Sequence, residues 1–212
     1  MANILIFGDS IVQGDYDNEG GWADRIKIYC IQKTLNSDFK KYFEVYNLGK
    51  SGDTSEHLLK RIANELEVRY WEDPVTVIVI AIGIDDSAYF TDKKDNFISV
   101  SNYSKNLNKI SQIAKKYTNK ITFIGLTPVD EENMHPNNWQ PHISYTNDFV
   151  RKYEDVLKLF CKENDIDFIN VLKKFKENNY SKLIADGLHP NTKGHELIYK
   201  EVKKYLEEKK YI

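Results

Sequence analysis

Five apolar runs of strand length, at residues 4–7, 43–48, 75–82, 121–126 and 166–171, are separated by segments with helical periodicity, and this alternation constrains the chain more than any other feature. Side chains repeat every two residues in a strand and every 3.6 in a helix. Strands and helices in regular succession predict a parallel sheet joined by helical crossovers. The third run, Val75-Thr76-Val77-Ile78-Val79-Ile80-Ala81-Ile82, is almost unbroken in apolar and β-branched residues. A strand with no polar face belongs mid-sheet, covered by helices on both sides. Helices are expected near 22–35, 55–70, 103–117, 143–164 and 193–209, with Asp53 or Thr54 capping the second. The expected architecture is a single α/β domain spanning 1–212. It is a three-layer α/β/α sandwich on a five-stranded parallel sheet, flavodoxin-like, with ligands gathering beyond the carboxyl ends of the strands.

Composition narrows the function. The chain of 212 residues is 41% hydrophobic, enough for one sizeable core. Its 30 Lys and Arg nearly balance 32 Asp and Glu, so it lacks the basic field of a nucleic-acid binder, and a small molecule is the expected partner. No apolar stretch approaches the roughly 20 residues of a membrane span. The N-terminus reads as a core strand rather than a signal peptide. Cys30 and Cys161 lie far apart in helical, partly apolar segments, the pattern of reduced, buried thiols, and a cytoplasmic location is expected. Two long polar connections, 85–102 and 127–142, fall on the edge where ligands gather, and the second holds Pro128, Pro136, Pro141 and Trp139.

Gly8-Asp9-Ser10 directly follows the first strand and puts a serine hydroxyl on the turn. A serine nucleophile needs a histidine to take its proton and an acid to orient that histidine. Of the five histidines, only His189 sits in a segment suited to this task, Asp186-Gly187-Leu188-His189-Pro190, after the last strand. A spacing of three lets one loop turn the Asp186 carboxylate onto Nδ1 and leave Nε2 facing outward. Pro190 keeps His189 out of the following helix. A tetrahedral intermediate also needs donors for its oxyanion. Gly52, in Asn47-Leu48-Gly49-Lys50-Ser51-Gly52-Asp53, can bring a backbone N–H close to substrate. Gly83-Ile84-Asp85-Asp86 puts a polar side chain at the same edge. Asp9 and Trp139 are the candidate substrate contacts, and Met134 and Tyr89 lie on loops that would overhang the site. Gly49-Lys50-Ser51 lacks the earlier glycine of a phosphate-binding loop, and His195-Glu196 lacks the second histidine of a zinc-protease helix. The histidines and acids of 127–142 match no metal spacing, so no metal is expected.

These four blocks, Gly8-Asp9-Ser10, Gly52, Gly83-Ile84-Asp85-Asp86 and Asp186-x-x-His189, resemble in order and position those of the SGNH, or GDSL-type, esterase and lipase family. The resemblance implies carboxylic ester hydrolysis without a cofactor on the SGNH hydrolase fold. It implies Ser10 as nucleophile, His189 as base, Asp186 as orienting acid, and the N–H groups of Ser10 and Gly52 as oxyanion donors. The third block of the family reads Gly-x-Asn-Asp, and its asparagine amide is the third donor; here Asp85 stands in its place. An ionised carboxylate about 4 Å from an oxyanion would oppose it by about 4 kcal/mol at an intermediate effective dielectric. Asp85 is therefore protonated and donating, or turned away, or else activity is low. Acyl transfer to an alcohol would use the same residues, and a binding module weakened at Asp85 is the rival from outside catalysis.

Overall fold

The computed structural model describes all 212 residues. Strand β1 (Ala2–Gly8) leads into a single-turn helix α1 (Ser10–Gln13), followed by α2 (Gly21–Asn36) and β2 (Phe43–Gly49). Helix α3 (Ser55–Arg69), β3 (Val75–Ala81) and the short α4 (Ile84–Ser87) come next. Two-residue strands β4 (Tyr89–Phe90) and β5 (Asp95–Asn96) precede α5 (Val100–Ala114) and β6 (Ile121–Ile124). After α6 (Glu131–Met134) and β7 (Ile143–Ser144) the chain closes with α7 (Asn147–Glu163), β8 (Asp167–Ile169), α8 (Val171–Glu177) and α9 (Thr192–Glu208).

The five long strands form one parallel sheet in the order β2-β1-β3-β6-β8, the flavodoxin-like order. The 75–81 strand is central, and every residue of β1 beside it is buried. Helices α3, α5 and α7 pack side by side on one face, and α2, α8 and α9 on the other. One continuous core of 51 buried apolar residues fills both interfaces, with Trp22, Tyr103 and Tyr153 the largest fully buried side chains. No helix is long and apolar enough to cross a membrane. Cys30 and Cys161 are free and buried.

The register decides what meets at the carboxyl edge. Gly8 pairs with Gly49 on one side and Ala81 on the other, so the turns after β1, β2 and β3 emerge abreast. Gly8 is required by close packing. A Cβ there would stand 2.2 Å from both the Ala81 carbonyl and the Val12 side chain.

The long connections depart from the expected loops. Strand β4 pairs antiparallel with β5 and with β7, joining the 85–102 segment to the residues just after the 127–142 connection in a second, three-stranded sheet. Two-residue strands carry no readable periodicity. The helix expected from 143 begins at Asn147 because Ile143–Ser144 belongs to this sheet and Thr146 caps the helix through the Phe149 N–H. The helix expected at 103–117 is displaced to Val100–Ala114, with Ser99 as its cap. Thr54, not Asp53, caps α3. Asp53 instead pairs with Arg61 at 2.6 Å.

Candidate active site

Ser10 is the first residue of α1 and is 5% exposed. Its Oγ lies 2.9 Å from His189 Nε2, and His189 Nδ1 lies 2.7 Å from Asp186 Oδ2. A carboxylate only accepts, so Nδ1 carries the imidazole proton and Nε2 is free to accept from the serine hydroxyl. The other Asp186 oxygen accepts the backbone N–H groups of Leu188 at 2.9 Å and His189 at 2.8 Å. Burial pushes Asp186 up, but the bonds from the His189 ring, the His189 N–H and the Leu188 N–H together hold it below the usual carboxylate range. The loop closes on itself through Ala185 N–H to the His189 carbonyl, 2.8 Å.

Gly52 adopts a left-handed φ of 76°, and no atom lies within 4 Å of where its Cβ would stand. Glycine is needed there for conformation rather than for space. The amide N–H groups of Ser10 and Gly52 donate to no turn or loop carbonyl. Arg61, which the sequence did not single out, anchors this region. Its Nη2 donates to the carbonyls of Gly8 at 3.1 Å and Leu48 at 2.9 Å, while Nε donates to Asp53. One guanidinium thus ties the ends of β1 and β2 to the segment bearing Gly52.

Three buried carboxyls neighbour one another, and the first of them directly precedes the serine. Asp9, expected to contact substrate, is turned inward: it is 3% exposed and its Oδ1 caps α1 at the Ile11 N–H, 2.9 Å. A cap on a turn this tight cannot also point outward. Burial raises its pKa well above the usual value, and the neighbouring Asp85 raises it further. Asp86 is fully buried and accepts the N–H of Ser55 at 2.8 Å and its hydroxyl, joining α4 to the start of α3. Burial pushes it up to about 7. Asp85 is 7% exposed. Tyr145, another residue without a sequence signal, donates its hydroxyl to Asp85 Oδ1 at 3.0 Å, and Oδ2 is buried with no partner. Burial raises Asp85 to about 6 against the pull of the Tyr145 bond and of His189.

Two aromatic rings flank His189. Trp139 stacks at 6.3 Å and 18° and is half exposed; Tyr16 lies at 4.8 Å and is 63% exposed. The Trp139 turn is held by the buried Asn137, whose Oδ1 accepts the N–H groups of Trp139 and Gln140. Met134 is fully buried, and Tyr89 stacks on Phe149 at 5.1 Å.

The family model described as GDSL-like Lipase/Acylhydrolase matches residues 6–197. The isoamyl acetate-hydrolyzing esterase of Saccharomyces cerevisiae is 23% identical over 96% of this chain and 85% of its own length. The human isoamyl acetate-hydrolyzing esterase 1 homolog is 25% identical over 97% of this chain and 82% of its own. Among solved structures, a lipase/acylhydrolase from Enterococcus faecalis covers 99% of this chain and 97% of its own with a TM-score of 0.74 and 22% identity. An acetylxylan esterase from Geobacillus stearothermophilus covers 97% and 93%, with a TM-score of 0.70 and 18% identity.

Proposed function

The chain belongs to the GDSL-like lipase/acylhydrolase family, and we propose that it is a serine esterase working through Ser10, His189 and Asp186. The observation that carries this reading is the unbroken run of hydrogen bonds from Ser10 Oγ through both imidazole nitrogens to Asp186. Ser10 Oγ attacks the ester carbonyl carbon as its proton passes to His189 Nε2. The carbonyl oxygen becomes an oxyanion, met by the backbone N–H groups of Ser10 and Gly52. Asp186 holds the imidazolium that forms. The intermediate collapses, the C–O bond to the alcohol breaks, and Nε2–H protonates the departing oxygen. Water then attacks the acyl-serine with His189 again as base, and the carboxylic acid leaves with Ser10 restored.

His189 protonates the departing alcohol, so the alcohol portion lies on its side of the site, against Tyr16 and Trp139. Two exposed rings suit an apolar or flat-faced alcohol. The names of the yeast and human relatives support a short acyl group on an apolar alcohol. The continuous core supports one catalytic domain over 1–212, and two free, buried cysteines support a cytoplasmic setting. Hydrolysis of p-nitrophenyl acetate and longer acyl homologues by wild type and Ser10→Ala tests the reading. The wild type is expected to prefer the acetate and Ser10→Ala to fall to background; equal rates for the two proteins, with no labelling of Ser10 by an active-serine probe, would overturn it.

A further inference from the structure

Asp9, which directly precedes Ser10, and its neighbours Asp85 and Asp86 are all buried, yet their hydrogen-bond partners are the Ile11 N–H, the Tyr145 hydroxyl, and the Ser55 N–H and hydroxyl. None is a cation. Neighbouring carboxyls in a site shielded from water do not all ionise. Protons therefore stay in this cluster, and the geometry decides where one of them resides. The Tyr145 hydroxyl has a single proton and makes one hydrogen bond, to Asp85 Oδ1. When Asp85 holds one of these protons, the oxygen accepting that bond is the unprotonated one. The Asp85 proton is then on Oδ2, the atom with no partner in the protein. A buried donor without an acceptor is normally explained by a missing partner.

We propose that Asp85 acts as a neutral acid that gives its Oδ2–H to the oxyanion formed at Ser10, and that Tyr145 is the positioning residue that fixes the proton on Oδ2. The proposal rests on the serine-esterase reading above. It assigns to a carboxylic acid the role an amide fills in the family pattern, with the difference that an acid can lose its donor. Asp85 is faced by Asp9 from the turn after β1, Asp53 and His57 from the second loop and α3, Asp86 from its own helix, Tyr145 from the end of β7, and His189. Burial is the largest influence and Asp53 adds to it, while Tyr145, His189 and His57 favour the charged form. The donor is present on the acid side and lost as pH rises past about 6. Each further pH unit then removes about tenfold of the neutral form.

The test is the pH dependence of p-nitrophenyl acetate hydrolysis from about pH 5 to 9 by wild type, Asp85→Asn, Tyr145→Phe, the double variant and Ser10→Ala. The wild type is expected to lose kcat on the alkaline side. Asp85→Asn, which cannot ionise, should lack that limb and exceed wild type by about tenfold or more at about pH 8. Tyr145→Phe should lower kcat with little change in KM and move the limb to higher pH, because the lost bond favoured the carboxylate. In the double variant Tyr145→Phe should have no limb left to move. Independently of turnover, the infrared difference between wild type and Asp85→Asn should contain a protonated-carboxyl band at acid pH that fades at alkaline pH. A wild-type limb retained in Asp85→Asn, Asp85→Asn slower than wild type at every pH, or no such band would overturn the proposal. These results with turnover still dependent on Ser10 sink the Asp85 assignment alone, whereas full activity in Ser10→Ala sinks the esterase reading.

Discussion

Asp186 engages both carboxylate oxygens within one tetrapeptide: Oδ2 takes the His189 ring, and Oδ1 takes two backbone N–H groups. The arrangement holds only while the group is charged. Its pKa is depressed in the fold, so its contribution to stability is complete above the ordinary carboxylate range and disappears only as pH falls through the lowered value. Asp186→Asn should lower the Tm near neutrality modestly, as the charged group's contribution is lost, and cut kcat by about a thousandfold or more, since an amide donating to Nδ1 forces the imidazole proton onto Nε2, facing Ser10. Steady-state kinetics with a thermal melt separates this from misfolding. Trp139 acts differently, being half exposed and touching the ring of His189 by its face alone. Trp139→Ala is expected to raise KM about two- to tenfold on esters of bulky apolar alcohols and to leave kcat nearly unchanged, as loss of one aromatic contact implies. A comparable fall in kcat would mean that Trp139 orients His189 rather than the alcohol. Ser10, Asp186 and His189 were legible because each lies in a short motif at a strand end, the last two only three residues apart. Tyr16 and Tyr145 were not, since nothing in a tyrosine's neighbours along the chain says which ring will meet a histidine or a carboxyl 60 residues away.

At the scale of elements, the site exists because β1, β2 and β3 end level, Gly8 beside Gly49 and Ala81. Continuous apolar runs made these strands readable. The short helices and the second sheet escaped because a two-residue strand or a single helical turn has no period. The register also leaves the Gly8 and Leu48 carbonyls at the sheet edge, where both are taken by Arg61. Arg61 is largely buried and paired with a buried Asp53, so Arg61→Ala leaves that carboxylate only the Lys50 ammonium at 4.0 Å and takes a donor from each carbonyl, that of Gly8 keeping the Lys50 N–H, a loss of about 3–5 kcal/mol by the usual behaviour of such pairs. The Tm should fall and, because Gly52 follows the same segment, kcat should fall with it. Arg61→Lys should recover little, for an ammonium cannot reproduce the planar fork that spans three acceptors. Full rescue by lysine, measured by melt and turnover together, would show that charge alone holds the edge.

For the whole molecule, the buried acids make stability depend on pH in a direction opposite to that of Asp186. Asp86 is fully buried and raised to about 7 by burial, whereas in the unfolded chain it titrates near the ordinary value of 3.8. Between those limits the folded state binds a proton that the unfolded state has released. Stability from this group therefore falls as pH rises through the window and levels off above it. His195 works the other way over part of the same range. Buried and lowered to about 4, it stays neutral in the fold while the unfolded chain takes up a proton below its ordinary 6.5. A melting profile of the wild type alone would mix the two, so the comparison has to be made against a variant. In Asp86→Asn the amide oxygen can accept the Ser55 N–H, while the Ser55 hydroxyl, which now accepts from Asn106 and donates to residue 86, can turn its proton away and accept the amide NH2 as a second donor. The Tm of Asp86→Asn relative to wild type should therefore climb steadily from about pH 4 to about pH 7 and then flatten, each kcal/mol appearing as about 2–4 °C in a chain of this size. A difference that stays constant across that window would mean that Asp86 is charged in the fold, its carboxylate held by the two Ser55 donors rather than by a retained proton.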